Sequence, residues 1–235
     1  MTSYKAIGVL GGMGPAATAA FMQRVIDLTL AVDDINHVPL LVDMNPQVPS
    51  RIKAILDGAE NPAPALAKMA QGLEASGAQA LAMPCNTAHF YAADITDAVD
   101  IPLLNMLTLS ASAVRAAIGG AGIVGLLASP LTDQVNIFRE AFAPHDLEVI
   151  FPHDADYVLS IIRQIKAGGL SPDMAAALTE LGQELEARGA ACLLVGCSEF
   201  SMLTQSIKTP LPLRDTVDVL AAEAIRFSGA VLKGT

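Results

Sequence analysis

Leu73-Glu74-Ala75-Ser76-Gly77-Ala78 returns 112 residues later as Leu185-Glu186-Ala187-Arg188-Gly189-Ala190. Cys85 stands seven residues past Ala78, and Cys197 stands seven past Ala190, at the same offset. The segments between, 79–84 and 191–196, are matching apolar runs of strand length. Near the start of each half, Ile7-Gly8-Val9-Leu10 is echoed by Val124-Gly125-Leu126-Leu127 at an offset of 117. Repetition in register predicts two copies of one α/β unit, each closing a strand with a cysteine.

The rest of the chain reads the same way. Candidate buried strands are 6–11, 38–44, 78–83, 101–104, 122–128, 147–151 and 191–195, and helical stretches separate them. Such alternation predicts parallel sheets with both faces covered by helices. Asn61-Pro62 opens one helix and Gly77 closes it, while Ser171-Pro172-Asp173 opens another and Gly189 closes it. The expected fold is α/β in two pseudosymmetric lobes, each a mostly parallel sheet flanked by helices, with the active site in the cleft between them. Lobe 1 is expected over 1–105 plus 213–235 and lobe 2 over 106–212, the amphipathic tail 215–232 packing back on lobe 1.

Composition narrows the partners. Hydrophobic residues make up 52% of the 235, and only 16% are charged, which excludes global disorder. Fourteen Lys and Arg stand against 24 Asp and Glu, a net charge of −10, with no basic stripe. Nucleic acid and anionic membrane surfaces are therefore not expected partners. No apolar run reaches the ~18 residues of a membrane span. Gly11, Gly12, Gly14 and Pro15 break the apolar N-terminus, so a cytoplasmic protein is expected rather than a secreted one. Three cysteines, none in a CxxC or zinc spacing, argue against both a disulfide framework and a metal site.

The thiols carry the chemistry. Cys85 and Cys197 lie just past the carboxyl ends of strands, the edge where ligands bind in open α/β sheets. A helix over 87–99 would place its N-terminal dipole on Cys85 and favour a thiolate. Asn86, Thr87 and Ser198 are short hydrogen-bonding neighbours. Two like groups facing one carbon from opposite sides suit inversion of a stereocentre: one removes a proton as thiolate, the other returns one as thiol. Cys192, inside the apolar run Ala191-Cys192-Leu193-Leu194-Val195, reads as structural.

Other motifs are less specific. Gly12-x-Gly14-x-x-Ala17 formally matches a dinucleotide fingerprint with Asp43 as the acidic partner, but Pro15 removes one N–H from the helix start. A cradle of N–H groups for a carboxylate uses the same geometry. Arg51 follows a stretch stiffened by Pro46 and Pro49, where its guanidinium fork suits a carboxylate. Lys166 stands near a helix C-terminus. His89, four residues past Cys85, reads as a core or supporting histidine, and His37, His145 and His153 have no metal-ligand spacing.

GGMGPAAT at 11–18, NPQVPSR at 45–51, PCNTAHF at 84–90, IPLLNM at 101–106, IKAG at 165–168 and GCSE at 196–199 resemble the aspartate/glutamate racemase superfamily, most closely its aspartate racemase (amino-acid racemase) branch. The resemblance spans nearly the whole chain. It implies a cofactor-independent racemase acting on aspartate- or glutamate-type amino acids, with Cys85 and Cys197 as the two catalytic acid/bases and no metal. It implies substrate contacts from Met13, Asn45, Arg51, Asn86, Thr87, Lys166 and Ser198, and a homodimer; the backbone N–H of Gly14 is a further expected contact, placed to stabilise a carbanion-like transition state. Many relatives have GCTE where this chain has Gly196-Cys197-Ser198-Glu199, and GLLAT…GT where Ser129-Pro130-Leu131-Thr132 stands, which leaves Ser129 and Thr132 as the weaker contacts. The same scaffold admits a maleate cis–trans isomerase, a malonate-type decarboxylase or a non-catalytic binding protein.

Overall fold

A computed structural model describes residues 4–234. Strands β1 (Ile7–Gly11), β2 (Leu40–Met44), β3 (Ala80–Ala82) and β4 (Leu103–Leu104) form one parallel sheet in the order β2-β1-β3-β4. Strands β5 (Gly122–Leu127), β6 (Leu147–Ile150), β7 (Cys192–Val195) and β8 (Leu213–Asp215) form a second in the corresponding order, β6-β5-β7-β8. The first compact unit takes the chain up to Met106 and from Val217 onward, and the second is Leu107–Thr216. Among the described residues no helix is long and apolar enough to cross a membrane.

The repeated hexapeptide has a packing reason. A Cβ placed on Gly8 of β1 would meet Ala78 Cβ at 2.9 Å, Leu81 Cδ2 at 3.0 Å and Leu73 Cβ at 3.1 Å. A Cβ on Gly125 of β5 would meet Leu185 Cβ at 2.8 Å, Leu193 Cδ2 at 2.9 Å and Ala190 Cβ at 3.2 Å. The contacts are equivalent residue for residue. The leucine and alanine of each repeat press the end of their helix onto a strand glycine, where a side chain has no room. Register follows: Gly8 pairs with Leu81 and Leu41, and Gly125 pairs with Leu193 and Ile150.

The sheets are covered on both faces, as parallel sheets require. In β7, Leu193 and Val195 point to one apolar cluster, with Leu178, Leu185 and Ile162 from helices Pro172–Ala187 and Ala155–Gly168. Cys192 and Leu194 point to the other, with Phe138, Phe142 and Val114. In the first unit, Leu10, Leu81 and Met83 pack with Leu66, Leu73 and Ile95.

The sequence reading missed β8. It has three residues, its centre Arg214 is exposed, and Pro212 before it offers a carbonyl to Leu193 N at 2.9 Å but no N–H. That is how an edge strand is built, and it carries no apolar run to see. The strand expected over 101–104 shortens to Leu103–Leu104, since Pro102 has no N–H to give a ladder. The C-terminal helix Thr216–Ser228 belongs to the first unit from Val217 onward: Arg24 Nε lies 2.8 Å from Asp218 Oδ1, and Lys5 N donates to Ser228 O at 2.9 Å.

Candidate active site

In the first unit three loops gather at the carboxyl ends of β1, β2 and β3. The loop after β1 is tied by Thr18, whose buried hydroxyl accepts from Gly12 N and donates to Gly14 O, both at 3.0 Å. Gly12 has φ +91°, and a Cβ there would stand 2.3 Å from the carbonyl carbon of Asn45. Only glycine lets the two backbones approach this closely. That explains Gly12 of the formal dinucleotide fingerprint as packing between the loops after β1 and β2, whereas a Cβ on Gly14 would meet nothing within 4 Å. Met13 and Cys85 share one buried cluster with Val48 and Tyr91, and Asn45 Nδ2 donates to Met69 Sδ at 3.8 Å. Gly14 caps helix Pro15–Leu28.

Arg51 is the first residue of helix Arg51–Asp57 rather than part of the loop before it; Ser50 caps that helix, accepting from Lys53 N at 3.3 Å. Its Nη1 donates to Pro49 O at 3.2 Å and Val48 O at 3.4 Å. Its Nε is buried and has no hydrogen-bond partner among the described residues. The guanidinium is near enough to Tyr91 to favour its phenolate, but burial and Asp94 outweigh it, and the phenol is held above its ordinary range.

Cys85 is buried, and the segment after it is not the single helix expected over 87–99. A 3₁₀ turn, Thr87–Tyr91, comes first, and a short helix, Ala92–Thr96, follows. In an α-helix the Cys85 carbonyl would take the N–H of His89. Instead His89 N donates to Asn86 O at 3.1 Å, and the imidazole Nδ1 takes the Cys85 carbonyl at 2.9 Å. His89 Nε2 accepts from Met106 N at 3.1 Å. An acceptor at Nε2 puts the ring proton on Nδ1, so the ring donates to Cys85 O. Burial lowers its pKa to about 4, against a smaller upward pull from the Cys85 carbonyl, and it stays neutral. The helix-dipole argument for a Cys85 thiolate therefore loses its helix. Asn86 is buried, and Thr87 is half-buried at the start of the turn.

In the second unit Cys197 caps a helical turn, Ser198–Ser201. Its thiol donates to Glu199 Oε2 at 3.1 Å, and Glu199 Oε1 lies 3.1 Å from Lys166 Nζ. Burial, then the Glu199 charge and hydrogen bond, push the Cys197 thiol well above its ordinary pKa despite backbone N–H groups at Glu199 and Phe200. Lys166, near the end of helix Ala155–Gly168, is half-exposed and engaged. Glu199 was not among the expected site residues, though its place two positions after Cys197 at a helix start was a usable signal.

Ser129 and Thr132 flank the carboxyl end of β5, beside Cys197: Gly196 N donates to Leu127 O at 2.9 Å. Thr132 Oγ1 donates to Ser129 O at 2.6 Å, so its proton serves its own turn. Ser129 Oγ is buried and without a hydrogen-bond partner among the described residues. Ser198 is buried beside Cys197. Cys192 is fully buried within β7, its thiol pushed by burial to about 11. Among the described residues no group of three or more His, Cys, Asp or Glu side chains is placed to hold a metal.

The family model for Asp/Glu/Hydantoin racemase matches residues 10–224. The chain is 27% identical over 233 residues to the broad specificity amino-acid racemase RacX of Bacillus subtilis, covering 93% of this chain and 96% of that one. The structure of Picrophilus torridus aspartate racemase superposes with a TM-score of 0.86 at 27% identity, over 97% of this chain and 96% of that one. An aspartate racemase homologue from Pyrococcus horikoshii shares the fold at a TM-score of 0.77 and 20% identity, over 96% and 99% of the two chains.

Proposed function

Because the chain belongs to the Asp/Glu/hydantoin racemase family, we propose that it racemises an acidic amino acid of the aspartate or glutamate type by proton transfer between two thiols at the α-carbon, without a cofactor. The observation that carries this reading is the equivalence of Cys85 and Cys197. Each follows the third strand of its own parallel sheet, at the carboxyl edge, at the same distance from the repeat.

Cys197 rests as a thiol donating to Glu199, so it is the acid of the resting form and Cys85 is the base. The Cys85 thiolate removes the α-proton of the enantiomer facing it. The electron pair passes into the carboxylate as an enolate-like carbanion, and Cys197 gives its proton to the opposite face. The product has inverted configuration, and the pair is left as Cys85 thiol and Cys197 thiolate, ready for the other enantiomer. One proton is shared between two sulfurs, and the pair titrates as a unit. Backbone N–H groups at Gly14 and after each cysteine receive the developing charge.

Two cations account for an acidic substrate on a chain of net charge −10. Arg51 has a buried Nε left for an anion. Lys166, half-exposed on Glu199, is open to exchange that partner for a substrate carboxylate. Asn86, Thr87, Ser198, Asn45 and Met13 complete the substrate contacts in this reading, and Ser129 adds its buried hydroxyl. The test is incubation with a panel of L- and D-amino acids in deuterated water. Loss of the α-proton signal with mixing of enantiomers for aspartate or glutamate is expected. Binding without exchange of the α-hydrogen would refute the reading, as would isomerisation of a double bond without it.

We further propose a homodimer. Apolar Leu30 and Val231 are both exposed and adjacent, Leu30 N donating to Val231 O at 2.7 Å, with exposed Val32 nearby in sequence. Light scattering at micromolar protein is expected to return twice the 24.4 kDa chain mass.

A further inference from the structure

The fourth residue after each cysteine reaches for the same place. In the first unit, His89 joins the carbonyl of Cys85, 2.9 Å from Nδ1, to the N–H of Met106, 3.1 Å from Nε2, just past the end of β4. In the second unit, the N–H of Ser201 holds the carbonyl of Cys197 at 3.1 Å, and its hydroxyl donates to Asp215 Oδ1 at 2.7 Å, at the end of β8. Thr204 Oγ1 donates to the other Asp215 oxygen at 2.5 Å. β4 and β8 occupy equivalent edge positions in their sheets. All the side chains involved are buried.

We propose that His89 in one unit, and Ser201 with Asp215 in the other, are positioning residues that each aim a single thiol by tying its turn to the adjacent edge strand. The inference rests on the two-thiol racemase reading. A thiol must meet the α-carbon within a fraction of an ångström to transfer a proton well, and each turn is short and without regular strand support. The link to the edge strand supplies that support. The chemistry differs but the connection is the same: a neutral ring spans carbonyl to N–H in one turn, and a serine spans carbonyl to carboxylate in the other, through its N–H and its hydroxyl. Releasing either link leaves one sulfur misaimed and the other untouched.

Isotope effects separate the two thiols. In a two-thiol racemase, one thiol removes the α-hydrogen of the L form and the other that of the D form. The α-deuterium effect on kcat/KM for each enantiomer therefore reports how far its own thiol limits the rate. The variants are His89→Asn, which keeps reach to the Cys85 carbonyl only, His89→Gln, which keeps reach to Met106 only, Ser201→Ala and Asp215→Asn. Each is compared with wild type using the panel amino acid that wild type turns over fastest, as its α-deuterated L and D forms. Both His89 variants are expected to lower kcat by roughly tenfold or more. They raise the isotope effect for one enantiomer and lower it for the other. Ser201→Ala and Asp215→Asn are expected to move the same ratio in the opposite sense, and Ser201→Thr, which keeps the hydroxyl, to return it towards wild type. If one variant fails to fold, its partner in the same link carries the comparison, with the melting temperature recorded for all. A loss of activity with both isotope effects moving together, in either unit, overturns the inference. Wild-type protein that exchanges no α-hydrogen in the panel refutes the racemase reading itself, and this inference with it.

Discussion

The turn after β3 and the turn after β7 start from equivalent points and are held differently. In the first, a histidine ring takes the cysteine carbonyl, the chain tightens into a 3₁₀ turn, and the clamp stays neutral. In the second, backbone N–H groups take the cysteine carbonyl, and Glu199 and Lys166 add a charged pair on the thiol. The packing beneath is the same in both: a leucine and an alanine on Gly8, a leucine and an alanine on Gly125. Close packing tolerates no extra atom, so the two copies agree there. Polar contacts tolerate exchange so long as each buried donor and acceptor is met, so the copies diverge there.

The largest effect tests whether both turns are needed. Cys85→Ser and Cys197→Ser are each expected to lower racemisation by about 10³-fold or more. One of them is expected to retain exchange of the α-hydrogen of a single enantiomer, read by proton NMR in deuterated water. Full activity in either variant would erase the equivalence of the two turns.

Next comes a difference in acid response. The unfolded His89 imidazole takes up a proton near pH 6.5, and the folded one only near about 4, so acid favours the unfolded chain throughout that window. Stability from this residue is complete above pH 6.5 and falls by up to about 3 kcal/mol as the pH drops to 4. Urea unfolding between pH 5 and 6.5 is expected to slope less steeply in His89→Asn than in wild type. Ser201→Ala, whose side chain does not titrate, is expected to keep the wild-type slope.

Gly8→Ala and Gly125→Ala probe the shared packing. Each new methyl would meet side-chain carbons at 2.9 and 2.8 Å, respectively, and each is expected to cost about 2 kcal/mol, measured by chemical denaturation. Markedly unequal costs would mean that the two interiors are not equivalent.

The smallest effect concerns Glu199. Glu199→Gln removes the negative charge that helps raise the Cys197 thiol, while burial, the larger cause, remains. The thiol pKa is expected to fall, with iodoacetamide labelling of Cys197 at pH 8 rising relative to wild type. Labelling of Cys85, mapped by mass spectrometry on the same sample, is expected to stay unchanged.

The sequence declared the duplication because packing leaves a local trace. Leu73, Ala78, Leu185 and Ala190 sit at fixed distances from their helix ends, and both copies needed the same residues. The strands β1 to β7 announced themselves as apolar runs. Both cysteines stood out for the same reason, being in register with the repeat. Strand β8 was invisible because three residues at an edge bury too little to leave a pattern. What no spacing could show were the partners chosen across strands. His89 meets Met106 17 positions away, and Ser201 meets Asp215 14 positions away, because sheet order and register bring those backbones together. Periodicity is written in neighbouring residues, and the chain fixes it alone; a hydrogen bond between a turn and the next strand's end exists only once the sheet is assembled.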